Sequence, residues 1–240
     1  MKNQETKKVQ DSQNIQGKTG DAEKKGFIYE EKGPVSGEDL LGEAGMAYAF
    51  RSYDRQGEYT LEDYYALPDE QRVELIDGVF YDMAAPYTTH QIAIFEICTQ
   101  LGNFIKSKKG SCRALPAPTD VQLDCDDRTM LQPDVLVVCD RDRIRQRCIY
   151  GAPDFVIEIL SDLTARKDAT VKLWKYRNAG VREYWIVDLR QEKVIVYDMT
   201  GEDCRTLIYG IEQPVPVQIF DGECQIYFNE ICEEVSSVLK

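Results

Sequence analysis

Two acids stand where a covered strand should carry none. The run Val135–Val138 is apolar and largely β-branched, and Asp134 sits at its mouth. The run 155–160 is wholly apolar except for Glu158. Short runs of this composition are expected to be buried strands, and a carboxylate buried in one is costly unless it is paired or holds a cation. Two carboxylates on neighbouring strands supply the hard oxygens that magnesium or manganese takes. Lys172 adds an ammonium. Around a helical wheel it falls near Ala165, Asp168, Ala169 and Tyr176, the side of the expected helix that faces the sheet. There it could position or activate a water at a metal site. Each residue also has a plainer reading: Glu158 as a solvated strand residue, Asp134 as part of a Pro-Asp strand entry, Lys172 as a snorkelling lysine paired with Asp168. Glu74, before a hairpin, and His90, near a helix start, are weaker candidates.

Several elements must position these side chains. The helix that carries Lys172 is expected over 164–178 and stops at Ala179-Gly180; a third apolar strand follows at 183–187. Upstream, Thr60 and Asp63 have the spacing of a capping box, opening a short helix that ends near Pro68. Residues 73–83 alternate about Asp77-Gly78, a strong hairpin signal. Thr89 is expected to cap a helix over 90–108, closed by Gly110, with Ile92, Ile94, Phe95, Ile97, Leu101, Phe104 and Ile105 as its apolar positions. Residues 112–124 read as one or two strands broken by Pro116 and Pro118. Downstream come a hairpin about Arg190-Gln191, short strands at 205–209, 215–220 and 225–228, and a small amphipathic helix at 229–239. The expected fold is mixed α/β or α+β, helices flanking a central sheet.

Composition narrows the function classes. Residues 1–45 read as a solvated tail, with a short helix possible at 38–48 and Met46 a candidate alternative start, and 46–240 as a single domain. The absence of an apolar run of about 18 residues argues against a membrane span, and that of an apolar leader makes the cytoplasm the default location. Eight cysteines without a CxxC pair, beside one histidine, are expected to be free and mostly buried thiols. A net charge of −13 argues against broad nonspecific nucleic-acid binding. It leaves room for a local basic groove, and it suits a site that attracts a divalent cation. Arg141, Arg143, Arg145 and Arg147 alternate between the two acid-bearing strands; they could contact phosphates or form a solvated loop.

The order of motifs carries a resemblance. The stretches YTLEDYYALPDE, VELIDG, Thr89-His90-Gln91, QPDVLVV, PDFVIEILS, Lys172 with Tyr176, and GVREYWIVD, running from about Tyr59 to Asp198, resemble the Uma-two family within the PD-(D/E)xK nuclease superfamily. The resemblance implies a restriction-endonuclease-like core, a mixed sheet with flanking helices, with Asp134 as the PD aspartate and Glu158 as the acid of the (D/E)xK strand. Leu160 stands where the superfamily pattern places its lysine, and Lys172 on the following helix takes that role in the family pattern. Glu74 and His90 match further recurrent positions. The implied activity is Mg²⁺- or Mn²⁺-dependent phosphodiester hydrolysis, with nucleic acid (DNA first) as partner, no membrane, and a homodimer as a candidate assembly. The alternatives are a catalytically inactive module of the same fold that binds nucleic acid or a protein, and an unrelated metal-dependent hydrolase.

Overall fold

Asp77 and Gly78 close the first hairpin as their residue types require. They join β1 (Val73–Ile76) to β2 (Val79–Asp82) with φ of 51° and 79°, both left-handed, as in the two-residue turn that matches strand twist. A Cβ at Gly78 would lie 2.6 Å from the Arg128 guanidinium and 2.8 Å from the Gly57 carbonyl, so glycine alone fits. The computed structural model describes residues 53–68, 70–160 and 168–238. The expected tail over 1–45, the helix at 38–48, Met46 and the start of the Lys172 helix at 164–167 lie outside the described residues.

Helix α1 (Leu61–Tyr65) opens at Thr60, whose N–H and hydroxyl both donate to the Asp63 carboxylate. Helix α2 (Thr88–Ser107) starts one residue before the expected cap and buries Ala93, Ile94, Ile97, Leu101 and Ile105. Phe95 falls off that stripe and is 66% exposed. The strands that follow are β3 (Arg113–Pro116), β4 (Val121–Gln122), β5 (Val135–Val138), β6 (Ile149–Tyr150) and β7 (Phe155–Ile159). A π-helical turn at Asp168–Lys172 leads into α3 (Leu173–Ala179), which Gly180 ends in the left-handed conformation at φ 93°. The chain closes with β8 (Glu183–Asp188), β9 (Lys193–Asp198), β10 (Arg205–Gly210), β11 (Val215–Val217), β12 (Cys224–Ile226) and α4 (Phe228–Ser237).

Six strands pair in the order β10-β9-β8-β7-β5-β3, antiparallel except for β7 beside β8. Those two are parallel because α3 carries the chain back across the sheet between them. Alternation then sorts the side chains. Val135, Val137, Phe155, Ile157, Trp185 and Val187 enter one core with residues of α2, α4, β11 and β12. Leu136, Val138, Val156, Tyr184 and Ile186 enter a second with Ile76, Ile149 and Tyr176. Both faces are covered, so these strands read as continuous apolar runs. Each such side chain contributes about 1.5–3 kcal/mol on burial. Glu158 shares the second face, beneath α3.

One expectation needs correction. Cys112 and Cys139 form a disulfide, although all eight cysteines were expected to be free. The sheet explains it: β3 and β5 are antiparallel with Arg113 opposite Val138, so the next pair outward is 112 and 139. Spacing along the chain gives no hint of this. Among the described residues the other six cysteines are free.

Candidate active site

Four side chains from three parts of the chain meet beneath α3. Glu158 points from β7 toward the helix face. Lys172 Nζ lies 2.8 Å from Glu158 Oε1 and 2.9 Å from Glu74 Oε1. Tyr176, one turn after Lys172, donates its hydroxyl to the same Glu158 oxygen at 2.9 Å. The Gln132 backbone N–H donates to Glu74 Oε1 at 3.1 Å. None of these groups is near bulk water: Glu74 is 0% exposed, and Glu158 and Lys172 are 3% each. Isolated charges at such depth would be prohibitively costly; two carboxylates around one ammonium answer most of that cost. Burial pushes the Tyr176 hydroxyl well above its ordinary pKa, and the Glu158 charge adds to the push while Lys172 opposes it. Tyr176 therefore stays a neutral donor.

The second group lies at the mouth of β5. Continuing the β5–β7 register, in which Val135 faces Ile157, places Asp134 opposite Glu158 and on the same sheet face. Asp134 Oδ2 accepts from the Ile159 backbone N–H at 2.7 Å and lies 3.3 Å from His90 Nε2. That imidazole nitrogen also faces the Ile159 carbonyl at 3.1 Å. Two acceptors converge on one nitrogen, so the tautomer protonated at Nε2 satisfies both. The helix α2 positions His90 in its first turn. The side chains of His90 and Asp134 are each 16% exposed, so this is the side of the site that meets solvent.

All five residues singled out in the sequence thus fall into two abutting groups, Glu74–Lys172–Glu158 and His90–Asp134, linked by the consecutive residues Glu158 and Ile159. Sequence reasoning missed two contributors. Tyr176 reads as a packing residue on the wheel, yet it donates to Glu158. Gln132 was only the lead-in to Pro133-Asp134, yet its backbone holds Glu74. The wheel placed Lys172 on the buried side for a regular helix; the π turn ending at Lys172 is a local widening that residue spacing does not announce.

The donor set can be weighed against a hard cation. Among the described residues no group of three or more His, Cys, Asp or Glu side chains is placed to hold a metal ion, so a cation would rest on two carboxylates and water. Asp134 and Glu158, opposite each other across the ladder, offer oxygen donors only. Magnesium is commonly bound through one or two carboxylates while it keeps several waters, and the set fits that pattern.

The profile of the family Uma2, described as "Putative restriction endonuclease", matches residues 61–226, more than half of the chain. The protein belongs to the Uma2 family. This Uma2 chain is also similar to a crystal structure from Anabaena variabilis ATCC 29413, described as a "putative nuclease belonging to DUF820". The two share 22% identity with a TM-score of 0.60, and the match covers 73% of the Uma2 chain and 98% of the other. At that identity the likeness establishes the fold alone, a mixed α/β sheet with flanking helices. Among curated proteins none matches.

Proposed function

We propose that this Uma2 protein is a metal-dependent endonuclease, hydrolysing phosphodiester bonds at the junction of its two residue groups. The observation that carries the reading is the meeting of Glu158 and Lys172 at 2.8 Å, beneath a helix and directly across the ladder from Asp134. Asp134 and Glu158 would hold Mg²⁺ or Mn²⁺. Bound there, the ion would polarise the scissile phosphate and lower the pKa of a water. The protein's own groups do the rest. Glu74 and Tyr176 fix Lys172 and Glu158 in place, so that the ammonium is preorganised to orient the attacking water or to stabilise charge that builds on the phosphate oxygens. His90 orients Asp134 through Nε2, and the Ile159 N–H holds the same carboxylate from the strand side. The partly exposed mouth at His90 and Asp134 admits substrate, while the sealed side keeps bulk water from the lysine.

The test is cleavage of a nucleic-acid substrate with Mg²⁺ or Mn²⁺. Asp134→Ala and Glu158→Ala are expected to keep the fold, read by circular dichroism, and to lose roughly a thousandfold or more in rate, several kcal/mol of barrier. Wild-type rates in both variants would overturn the assignment.

A further inference from the structure

We propose that two arginine–tyrosine pairs on the loops around β6 form a docking ledge for a single-stranded stretch of nucleic acid. The Arg145 guanidinium lies 4.9 Å from the Tyr150 ring centre, and that of Arg147 lies 4.4 Å from Tyr65. Both tyrosines are 37% exposed. Among the described residues neither guanidinium has a carboxylate within ion-pair distance, unlike Arg55, Arg143, Arg182 and Arg205. Two of the nearby acids are engaged elsewhere: Asp140 lies 3.5 Å from Arg143, and Asp124 pairs with Lys175. A cavity of about 550 Å³ adjoins the first pair, with Arg143, Arg145 and Tyr150 in its wall beside Asp124, Asp140 and Asp142.

Chemistry selects the occupant. A guanidinium laid over a ring keeps its N–H fork free at the edge, where it matches a phosphate. The ring face turned away from the guanidinium is where a base would stack, and base–aromatic stacking is indifferent to sequence. A duplex keeps its bases stacked on one another and leaves such faces unused, whereas a single strand can lay phosphates on the arginines and bases on the rings. The ledge is also tied to the site. Asp120 accepts from the Ile149 N–H next to Tyr150 at 2.8 Å through its carbonyl, and from Tyr64 and Gln132 at 3.0 Å and 2.8 Å through its carboxylate. Gln132 in turn holds Glu74 through its backbone. These bonds join the strand that carries Tyr150 to the segment that holds Glu74. The choice of nucleic acid as occupant rests on the nuclease reading; the ledge itself rests on the pairs.

The experiment is fluorescence anisotropy of a labelled oligothymidylate, and of a duplex of equal length, with the full chain in chelator over a range of salt. Arg145→Gln with Arg147→Gln is expected to weaken single-strand binding and to flatten its log–log salt slope by about 0.7 for each phosphate that is no longer neutralised. Tyr65→Leu with Tyr150→Leu is expected to weaken it about fivefold or more per stacked base at unchanged slope. Unaltered melting temperatures confirm that the variants fold, as these exposed positions allow. Wild-type affinity in the arginine variant overturns the ledge. So does duplex binding that equals single-strand binding and ignores the tyrosines, which would make it a duplex or generic anion surface. Displacement of the oligonucleotide by polyglutamate at equal charge also overturns it, in favour of an acidic protein partner. Parallel cleavage assays separate the two readings. If the arginine variant binds normally while Asp134→Ala stops cleavage, the ledge falls and the nuclease stands. If wild type fails to cleave while both pairs still govern binding, the nuclease falls and the ledge stands.

Discussion

Two lysines three residues apart at the same helical segment are used in opposite ways. Lys172 bridges Glu74 and Glu158; Lys175 bridges Asp77 and Asp124, with Asp77 at 2.8 Å. Each takes one acid from the first hairpin, Glu74 from its strand and Asp77 from its turn. The difference is solvent. The inner acids are 0% and 4% exposed at their side chains, the outer ones 60% and 27%. An outer bridge of that kind ties α3 to the hairpin and is weak. An inner one must overcome the desolvation of three charges, and apolar residues of equal volume would stabilise as well or better. A cluster that stability alone does not favour is the one to read for function.

Replacing each lysine by methionine breaks or sharpens that contrast. Lys172→Met removes the ammonium that Glu74 and Glu158 share, and should cost about 3–5 kcal/mol in urea denaturation. Nuclease activity should fall roughly a thousandfold in the same variant. Near-wild-type stability and cleavage together would show that Lys172 is neither charged nor used.

A third buried acid shows what the missing cation means. Glu183 on β8 is 0% exposed and is answered by N–H groups: the Trp185 indole at 2.7 Å and the Ile219 backbone at 2.9 Å. Burial pushes it from 4.5 up to about 7; the backbone N–H groups of Gln218 and Ile219 and the Trp185 indole oppose that, and the Asp198 charge adds to it. The folded state then binds the proton more tightly than the unfolded one. Glu183 favours folding most below about 4.5, and this contribution is lost as pH rises through about 7. Urea midpoints should decline across that window, and Glu183→Gln should flatten the decline. An unchanged slope would mean that its hydrogen bonds outweigh its burial.

Tyr176→Phe asks a smaller question of the inner cluster. It removes one donor from Glu158 and leaves Lys172 in place, so the expected cost is about 1.5 kcal/mol, typical of a hydrogen bond to a charged group. A loss as large as that of Lys172→Met would mean that the hydroxyl, rather than the ammonium, is what keeps Glu158 tolerable.

Much of this was legible in the chain because local rules and tertiary demands agree. Asp77-Gly78 can hardly be anything but a two-residue turn, and the apolar runs of β5 and β7 must be covered strands, so period alone singled out their two acids, while the opposition of Asp134 and Glu158 needs the β5–β7 register. What stayed hidden depends on register between distant segments. The Cys112–Cys139 bridge needs the β3–β5 alignment, the two-residue strand β6 is too short to show a period, and the Glu74–Lys172 contact needs the hairpin folded against α3. Lys175 shows the same limit: nothing in its spacing says that Asp77 and Asp124 wait for it.

Lys175→Met completes the comparison with the smallest effect. Burial pushes the Lys175 ammonium down, but hydrogen bonds to Asp124 and Asp77 outweigh it and hold the group above its ordinary 10.5. A raised lysine contributes its stability in full below 10.5 and loses it only as pH climbs through the higher folded value. At neutral pH the bridge is therefore intact, yet its acids are half in water, and its loss should cost about 1 kcal/mol or less. Cleavage should be unchanged, because Lys175 touches neither Glu158 nor Asp134. The exposed Trp174, whose ring centre lies 5.9 Å from the Lys175 ammonium, should report the change in its fluorescence while the buried Trp185 does not. If Lys175→Met instead matched Lys172→Met in stability, burial would not be what separates the two bridges, and the inner cluster would lose its claim to be the exceptional one.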